Sequence, residues 1–499
     1  MKKTIIGCLA LIGEDARPSD GPVDIEIDGR LITDIRPRGA KQPEGEVIPA
    51  QDHLVAAGLI NGHHHSHEGF YKGRKDNLPL ELWMNYVRPL KPIELTPRDV
   101  YLRTMIGAIE AVRSGTTTLC DDTNQSPRIR PEHVEQVFQA YEDIGIRANV
   151  GITLFDRPFF RAVPFVDEEF PPDLLAEFDS TRMYSGDELL SFARGLAKTR
   201  NPADHRVAYM AAPSAPQRCT EKFLRDVRRM ADEFDLPLMI HVQETRMQVV
   251  TGQLFYGSTM VEYLERIGFM KPKTAFIHGI WLNPREIEIL ARTGVSIQHN
   301  PPSNLKVGSG LAPIRALLDA GVNVSMGTDG CGSIEGTDMQ NALYLTGLLQ
   351  KLRGDHTGWV GATEALYAAT MGGARALGRD KELGAVETGR IADLVGYRLD
   401  TIPFAPLNNP VQQLVYAAGR AEVDLVLVDG EVIERDGKLT RIDEAAIIDE
   451  IREAHARIEP QLSASEADVE RMVPHYERIY RRCQCMDIAA DTYPARFSH

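Results

Sequence analysis

Between about residue 54 and residue 330, short apolar runs alternate with stretches of helical period. The runs fall at residues 54–61, 116–120, 147–154, 207–212, 236–240, 274–277, 295–298 and 322–326. Short apolar runs bounded by polar residues and turn formers read as strands buried on both faces, the form strands take in a parallel sheet. The intervening stretches open on helix-start signals. Thr96-Pro97-Arg98-Asp99 and Asn283-Pro284-Arg285-Glu286 each place a capping side chain, then proline at the first helical position, then a carboxylate at the third. After Thr220, Phe223, Val227, Met230 and Phe234 repeat at helical spacing and mark a core face. Eight strands alternating with helices predict an α/β chain closed as a (β/α)8 TIM-like barrel, whose active site lies at the C-terminal strand ends. A doubly wound open sheet is the alternative, but the first strand-to-helix turn lacks a Gly-x-Gly-x-x-Gly fingerprint and no Walker-type loop is present.

Outside this region the texture changes. Residues 1 to about 56 are short β-type segments broken by Gly, Pro and Asp, and strand-like patterns return at 391–397 and 423–433. The two chain ends are therefore expected to close one small discontinuous β-sandwich. The predicted units are 1–56 and 386–440 for the sandwich, 57–385 for the barrel and 441–499 for a helical tail. That tail has three options: packing on the barrel, covering the pocket of a neighbouring subunit, or partial disorder. Met1-Lys2-Lys3 and the apolar run after it imitate a signal peptide, but a polar turn leads directly into an alternating strand at 23–32 with which the run can pair.

With 43% hydrophobic and 25% charged residues, the chain has a globular composition and a large core, which argues against disorder. A net charge of −15 and a pI near 5.5 would repel nucleic acid and anionic membranes, so a small-molecule substrate is expected. No stretch has the roughly 18 uninterrupted apolar residues of a membrane span. The six cysteines are scattered, which fits reduced thiols and a cytoplasmic setting, and Cys483-Gln484-Cys485 has no second pair nearby to make a metal clip.

The candidate chemistry sits at the strand ends. Residues two apart on a strand share a face, so His63 and His65 of Gly62-His63-His64-His65-Ser66-His67-Glu68 project together while His64 projects away. Strand five leads into His241-Val242-Gln243-Glu244-Thr245, strand six into His278, strand seven into His299-Asn300-Pro301 and strand eight into Gly327-Thr328-Asp329. Under the barrel rule His63, His65, His241 and Asp329 converge at one rim. Three neutral imidazoles and a carboxylate suit one divalent ion with an open position for water, which the ion acidifies enough to supply hydroxide near pH 7. Glu244 lies within reach of the same pocket to carry a proton, and His278 to orient the water.

Gly58 to His65, Lys72-Gly73, Asp76-Asn77-Leu78-Pro79-Leu80-Glu81-Leu82-Trp83, Ser114-Gly115-Thr116-Thr117-Thr118, His241 to Thr245, His299 to Gly310 and Gly327-Thr328-Asp329 together resemble the amidohydrolase superfamily. The branch they resemble holds triazine hydrolases and S-adenosylhomocysteine and guanine deaminases. The resemblance runs from about residue 20 to about residue 435 in the right order. It implies one divalent ion per chain, zinc first with iron(II) or manganese(II) as alternatives, held by His63, His65, His241 and Asp329. It also implies Glu244, His278 and Asp329 as catalytic groups, and Glu68, Trp83, Gln217 and Asn304 as residues facing the substrate. A homodimer or homotetramer is expected. No lysine ends strand four, so the carbamylated bridge of binuclear members is absent.

Two departures bear on substrate. Ala211-Ala212-Pro213 stands where many deaminating members have His-Ala-Pro, and Glu68 and Lys72 stand where Gln and Arg are common. Glu68 is expected to select a substrate edge rich in donors, unless it pairs with Lys72 or Arg74. The expected activity is release of ammonia from an amino-substituted purine, pterin, pyrimidine or triazine. The alternatives are displacement of an alkylamine or chloride from a triazine-like ring, hydrolysis of an amide, urea or cyclic amide, and a non-catalytic scaffold.

Overall fold

The computed structural model describes residues 1–88, 93–125, 129–180 and 185–496. Eight parallel strands form its centre: β1 (Leu59–His64), β2 (Thr116–Thr123), β3 (Arg147–Leu154), β4 (Val207–Tyr209), β5 (Leu238–Val242), β6 (Thr274–His278), β7 (Ser296–His299) and β8 (Val324–Met326). β1 to β4 pair in sequence order, as do β5 to β8. Backbone hydrogen bonds cross both seams between these sets. Ala211 N donates to Pro237 O at 3.0 Å and Met239 N to Ala211 O at 3.0 Å on one side, and Asp329 N donates to His63 O at 2.9 Å on the other. Every residue of β2 and β3 is buried, as a sheet covered by helices requires. The two helices announced by Thr96 and Asn283 run over Pro97–Arg113 and Pro284–Thr293, each closed by a reciprocal capping box.

A second sheet takes strands from both chain ends. Lys2–Ile12 pairs antiparallel with Val23–Asp28 and, through Leu9 and Ala10, parallel with His53–Ala57, which in turn pairs with Leu394–Arg398. As expected, both chain ends build this unit: its ten strands are joined through Lys2–Ile12, which pairs into both halves, around a core of Ile5, Ile25, Val55, Leu394 and Leu427.

Among the strand boundaries that differ from expectation, two bear on the site. The run 54–61, read as one strand, is two: His53–Ala57 belongs to the end sheet and β1 to the barrel. Both are buried, so hydrophobicity does not mark the change of sheet. The break is at Gly58, where a Cβ would lie 2.1 Å from Thr117 Cγ2. β5 starts at Leu238 instead of 236 because Pro237 has no N–H for the ladder, and this carries His241 into the strand.

The two units are stitched together by Arg147 at the start of β3. Its Nε donates to Asp393 Oδ2 at 2.9 Å and its Nη2 to Asp429 Oδ1 at 2.5 Å, and all but a few per cent of the side chain is buried. Removing one partner of such a cluster strands the other charges. Arg147→Ala is expected to lower stability in denaturant titration by about 3–5 kcal/mol; a change below about 1 kcal/mol would contradict the stitching role.

The tail forms two helices, Glu444–Glu470 and Val473–Cys485, packed on the chain's own barrel. Arg457 pairs with Asp99 at 2.6 Å, Arg74 with Glu459 at 2.5 Å and Glu466 at 2.6 Å, and Tyr86 donates to Glu470 at 2.7 Å. Of its three options the tail therefore takes the first, and it braces the segment after β1. Its last three residues, 497–499, lie outside the described residues. Among the described residues no helix is long and apolar enough to cross a membrane.

Candidate metal centre and active site

His63 is on β1 and His65 directly after it, with ring centroids 4.6 Å apart. His241 on β5 lies 4.9 Å from His63 and stacks on His65 at 5.5 Å. Asp329, just beyond β8, brings Oδ1 within 3.4 Å of Nε2 of both His63 and His65. The expected four residues thus meet at one point, while His64 turns its Nδ1 to the Asp329 carbonyl, 3.2 Å away.

Hydrogen bonds fix which ring nitrogens face that point. His65 Nδ1 donates to Asp122 O at 2.7 Å and His241 Nδ1 to Ser214 O at 2.8 Å. A carbonyl only accepts, so each Nδ1 carries the proton and each Nε2 presents a lone pair to the cluster. Both ring nitrogens of His63 are enclosed and have no hydrogen-bond partner. Asp329 is held by Ser303 Oγ, which donates to Oδ2 at 2.6 Å, and by Gly330 N, which donates to Oδ1 at 2.8 Å. Converging imidazole lone pairs beside a buried carboxylate have no protein donor to satisfy them, and a divalent cation would. Ligand atoms of His63, His65 and His241 lie within reach of one such ion, as do those of His63, His278 and Asp329.

The electrostatics agree. Burial first, then the neighbouring His63, push His65 down to about 3, and burial followed by the three surrounding imidazoles holds His241 well below the usual range. Burial opposes ionisation of Asp329, but the adjacent His63, His65 and His278 imidazoles outweigh it and keep the carboxylate ionised. His65 and His241 therefore offer lone pairs without first losing a proton. The apparent affinity of the metal-free protein for a divalent ion is expected to fall less than about tenfold from pH 7.5 to 5.5, measured by titration. Two ordinary imidazoles would give a loss of about 10²-fold over that range, and that result would contradict the lowered values.

Glu244 follows β5, with Oε1 3.4 Å from His278 Nε2. Burial, then the charge of Asp329, raises its carboxyl well above the usual range. His278 Nδ1 donates to Asn304 Oδ1 at 2.8 Å, leaving Nε2 as an acceptor, and burial pushes the ring down to about 4. His278 and Asp329 both have left-handed backbone, at φ +74° and +78°. For non-glycine residues this conformation costs about 1–3 kcal/mol and is held only by the surroundings.

Of the residues expected to face substrate, Glu68 is buried with Oε2 accepting from Gly332 N at 3.2 Å, and Trp83 lies against the same glycine. Pairing of Glu68 with Lys72 or Arg74 is not observed: Lys72 pairs with Glu110 at 2.5 Å, and Arg74 with Glu459 and Glu466 on the tail. Gln217 is buried with an unpartnered Oε1. Asn304 accepts from His278 through Oδ1, and its Nδ2 is buried without a partner.

The sequence reading missed three groups. Asp122, whose carbonyl orients His65, is hydrogen-bonded by Thr153 and pushed up to about 6 by burial. It was passed over because strand two was ended at Cys120; the barrel rule applied to a strand ending at Thr123 would have found it. Arg88 and Arg218 had no signal, being single arginines whose burial depends on distant segments.

Known proteins resemble this chain over most of its length. A model of the amidohydrolase family matches residues 54–433. The chain is 33% identical to 5-methylthioadenosine/S-adenosylhomocysteine deaminase of Pyrococcus furiosus, over 85% of this chain and 94% of that one. It is 32% identical to 5'-deoxyadenosine deaminase of Methanothermobacter thermautotrophicus, over 86% and 93%. An adenosine deaminase from Xanthomonas campestris, solved with bound zinc, superposes with a TM-score of 0.81 at 28% identity, covering 92% of this chain and 98% of that one. Atrazine chlorohydrolase from Arthrobacter aurescens, solved with zinc, gives 0.82 at 24% identity over 91% and 100%, a likeness of fold alone. Matched through barrel and end sheet, and aligned with these relatives over nearly their whole length, the chain belongs to the amidohydrolase family.

Proposed function

We propose that this protein is a metal-dependent aminohydrolase that replaces the exocyclic amino group of a purine-type heterocycle with oxygen and releases ammonia. The observation that carries the reading is the gathering of the His63, His65 and His241 rings around one buried carboxylate, Asp329. His63, His65, His241 and Asp329 would hold one zinc ion, the metal bound in the superposable adenosine deaminase. When bound, such an ion supplies the Lewis acidity that makes water a nucleophile near neutral pH.

The chain's own groups supply the rest. His278, fixed by Asn304, presents Nε2 as an acceptor that orients the attacking water. Glu244 takes a proton from that water and delivers it to the substrate's ring nitrogen, then carries the second proton, from the newly added hydroxyl, to the departing amine, leaving the oxygen on the ring as a carbonyl. Burial keeps its proton affinity high, as a group that must also act as an acid requires. The carbon–nitrogen bond breaks, and ammonia leaves with the transferred proton. The named relatives act on adenosine-derived compounds, which supports a purine-type ring.

A coupled ammonia assay across aminopurines, pterins, pyrimidines and triazines tests this reading. Ammonia equal to the amino group lost is expected from at least one aminopurine-type compound. Release of chloride or alkylamine with no ammonia from any compound would contradict it.

Glu68 would read the edge of the ring beside the metal centre. Burial raises its carboxyl, but a bound divalent cation favours the ionised, acceptor-only form. Glu68→Gln is expected to reorder the preferred heterocycles by about 1–3 kcal/mol with metal content unchanged. An equal change for every substrate would show that Glu68 has no part in selection.

A further inference from the structure

Two arginines beside the site, Arg218 buried and Arg88 partly buried, are not used by the mechanism above. Arg218 is 5% exposed; its Nη1 donates to Ser214 Oγ at 3.0 Å, and its Nε has no partner. Ser214 is the residue whose carbonyl holds the His241 ring, so Arg218 is one side chain removed from the metal cluster. Arg88 ends the helix Leu80–Val87, the element that also carries Trp83. Its Nε and Nη1 are both enclosed without a hydrogen-bond partner. Both guanidinium groups lie over the Phe159 ring, at 5.8 Å for Arg88 and 5.5 Å for Arg218, and Arg218 also stacks on Phe155 at 4.2 Å.

Two like charges sharing one aromatic ring, with three of their enclosed donors unpaired, are costly unless something negative completes them. Arg88 is within electrostatic reach of Asp122, Glu68, Glu244 and Asp329, the carboxylates gathered around the site. Those carboxylates also limit what can bind: a dianion would meet too much negative charge, whereas a monoanion would not. A planar carboxylate matches the fork of a guanidinium.

We propose that the substrate is a monoanion, an amino-heterocycle bearing a carboxylate that seats against Arg88 and Arg218. This deepens the aminohydrolase reading and rests on its assignment of the pocket. Neutral nucleosides would then be poor ligands.

The test uses matched pairs, each a carboxylate and its carboxamide: pterin-6-carboxylate, cytosine-5-carboxylate and adenine-9-acetate with their amides. Binding to the metal-loaded protein is read by ligand-induced thermal shift, and turnover by released ammonia. At least one carboxylate is expected to bind about 10- to 100-fold tighter than its amide, the range for hydrogen bonds to charged groups. Arg88→Gln and Arg218→Gln should each erase most of that preference, with the amide losing less, whereas Arg218→Lys should keep part of it. Amides bound as tightly as carboxylates, or both partners weakened equally by the variants, would overturn the proposal. Where a glutamine variant does not fold, the wild-type preference decides alone. Arginine-dependent carboxylate binding without any ammonia would support the anion site and count against the aminohydrolase reading.

Discussion

Glu244→Gln is expected to keep its metal and lose about 10²- to 10⁴-fold in turnover, the usual share of a general acid–base group. Glutamine has the same shape but neither takes nor delivers a proton. Glu244 lies 3.4 Å from His278 Nε2 and is raised by burial, so it can hold a proton between water and substrate. Because it is not among the groups that gather within reach of one ion, metal content should not change. Turnover near the wild-type rate would remove Glu244 from the mechanism.

His63→Ala combined with His241→Ala is expected to empty the site and abolish turnover. The two rings lie 4.9 Å apart, and with both gone only His65 and Asp329 remain of the four proposed ligands. Two ligands are too few to retain a divalent ion against exchange with solvent. Elemental analysis reads the outcome directly; stoichiometric metal in the double variant would sink the site. A ligand that binds only the folded state stabilises it, so metal should raise the melting temperature of the metal-free protein.

Much of this architecture was legible because a barrel writes itself twice in sequence, as alternating strand and helix patterns and as polar residues at or just past strand ends. His63, His65, His241, His278 and Asp329 all carry that second signature. The split at Gly58 was not legible, because the strands on both sides are equally buried and the change of sheet depends on Thr117, distant in sequence. The orienting roles of Asn304 and Asp122 likewise come from contacts across the barrel mouth. Lys72 and Arg74 stand close to Glu68 in the chain, yet Glu110 and the tail helix capture them. Arg88 and Arg218 meet only through Phe159, a pairing no local pattern announces.

The most direct test of the central claim is ammonia release from the best aminopurine-type substrate by protein stripped with a chelator and then titrated with zinc. The rate is expected to vanish on stripping and to return in proportion to added metal, saturating at one ion per chain. An undiminished rate in the stripped protein would contradict a metal-dependent aminohydrolase.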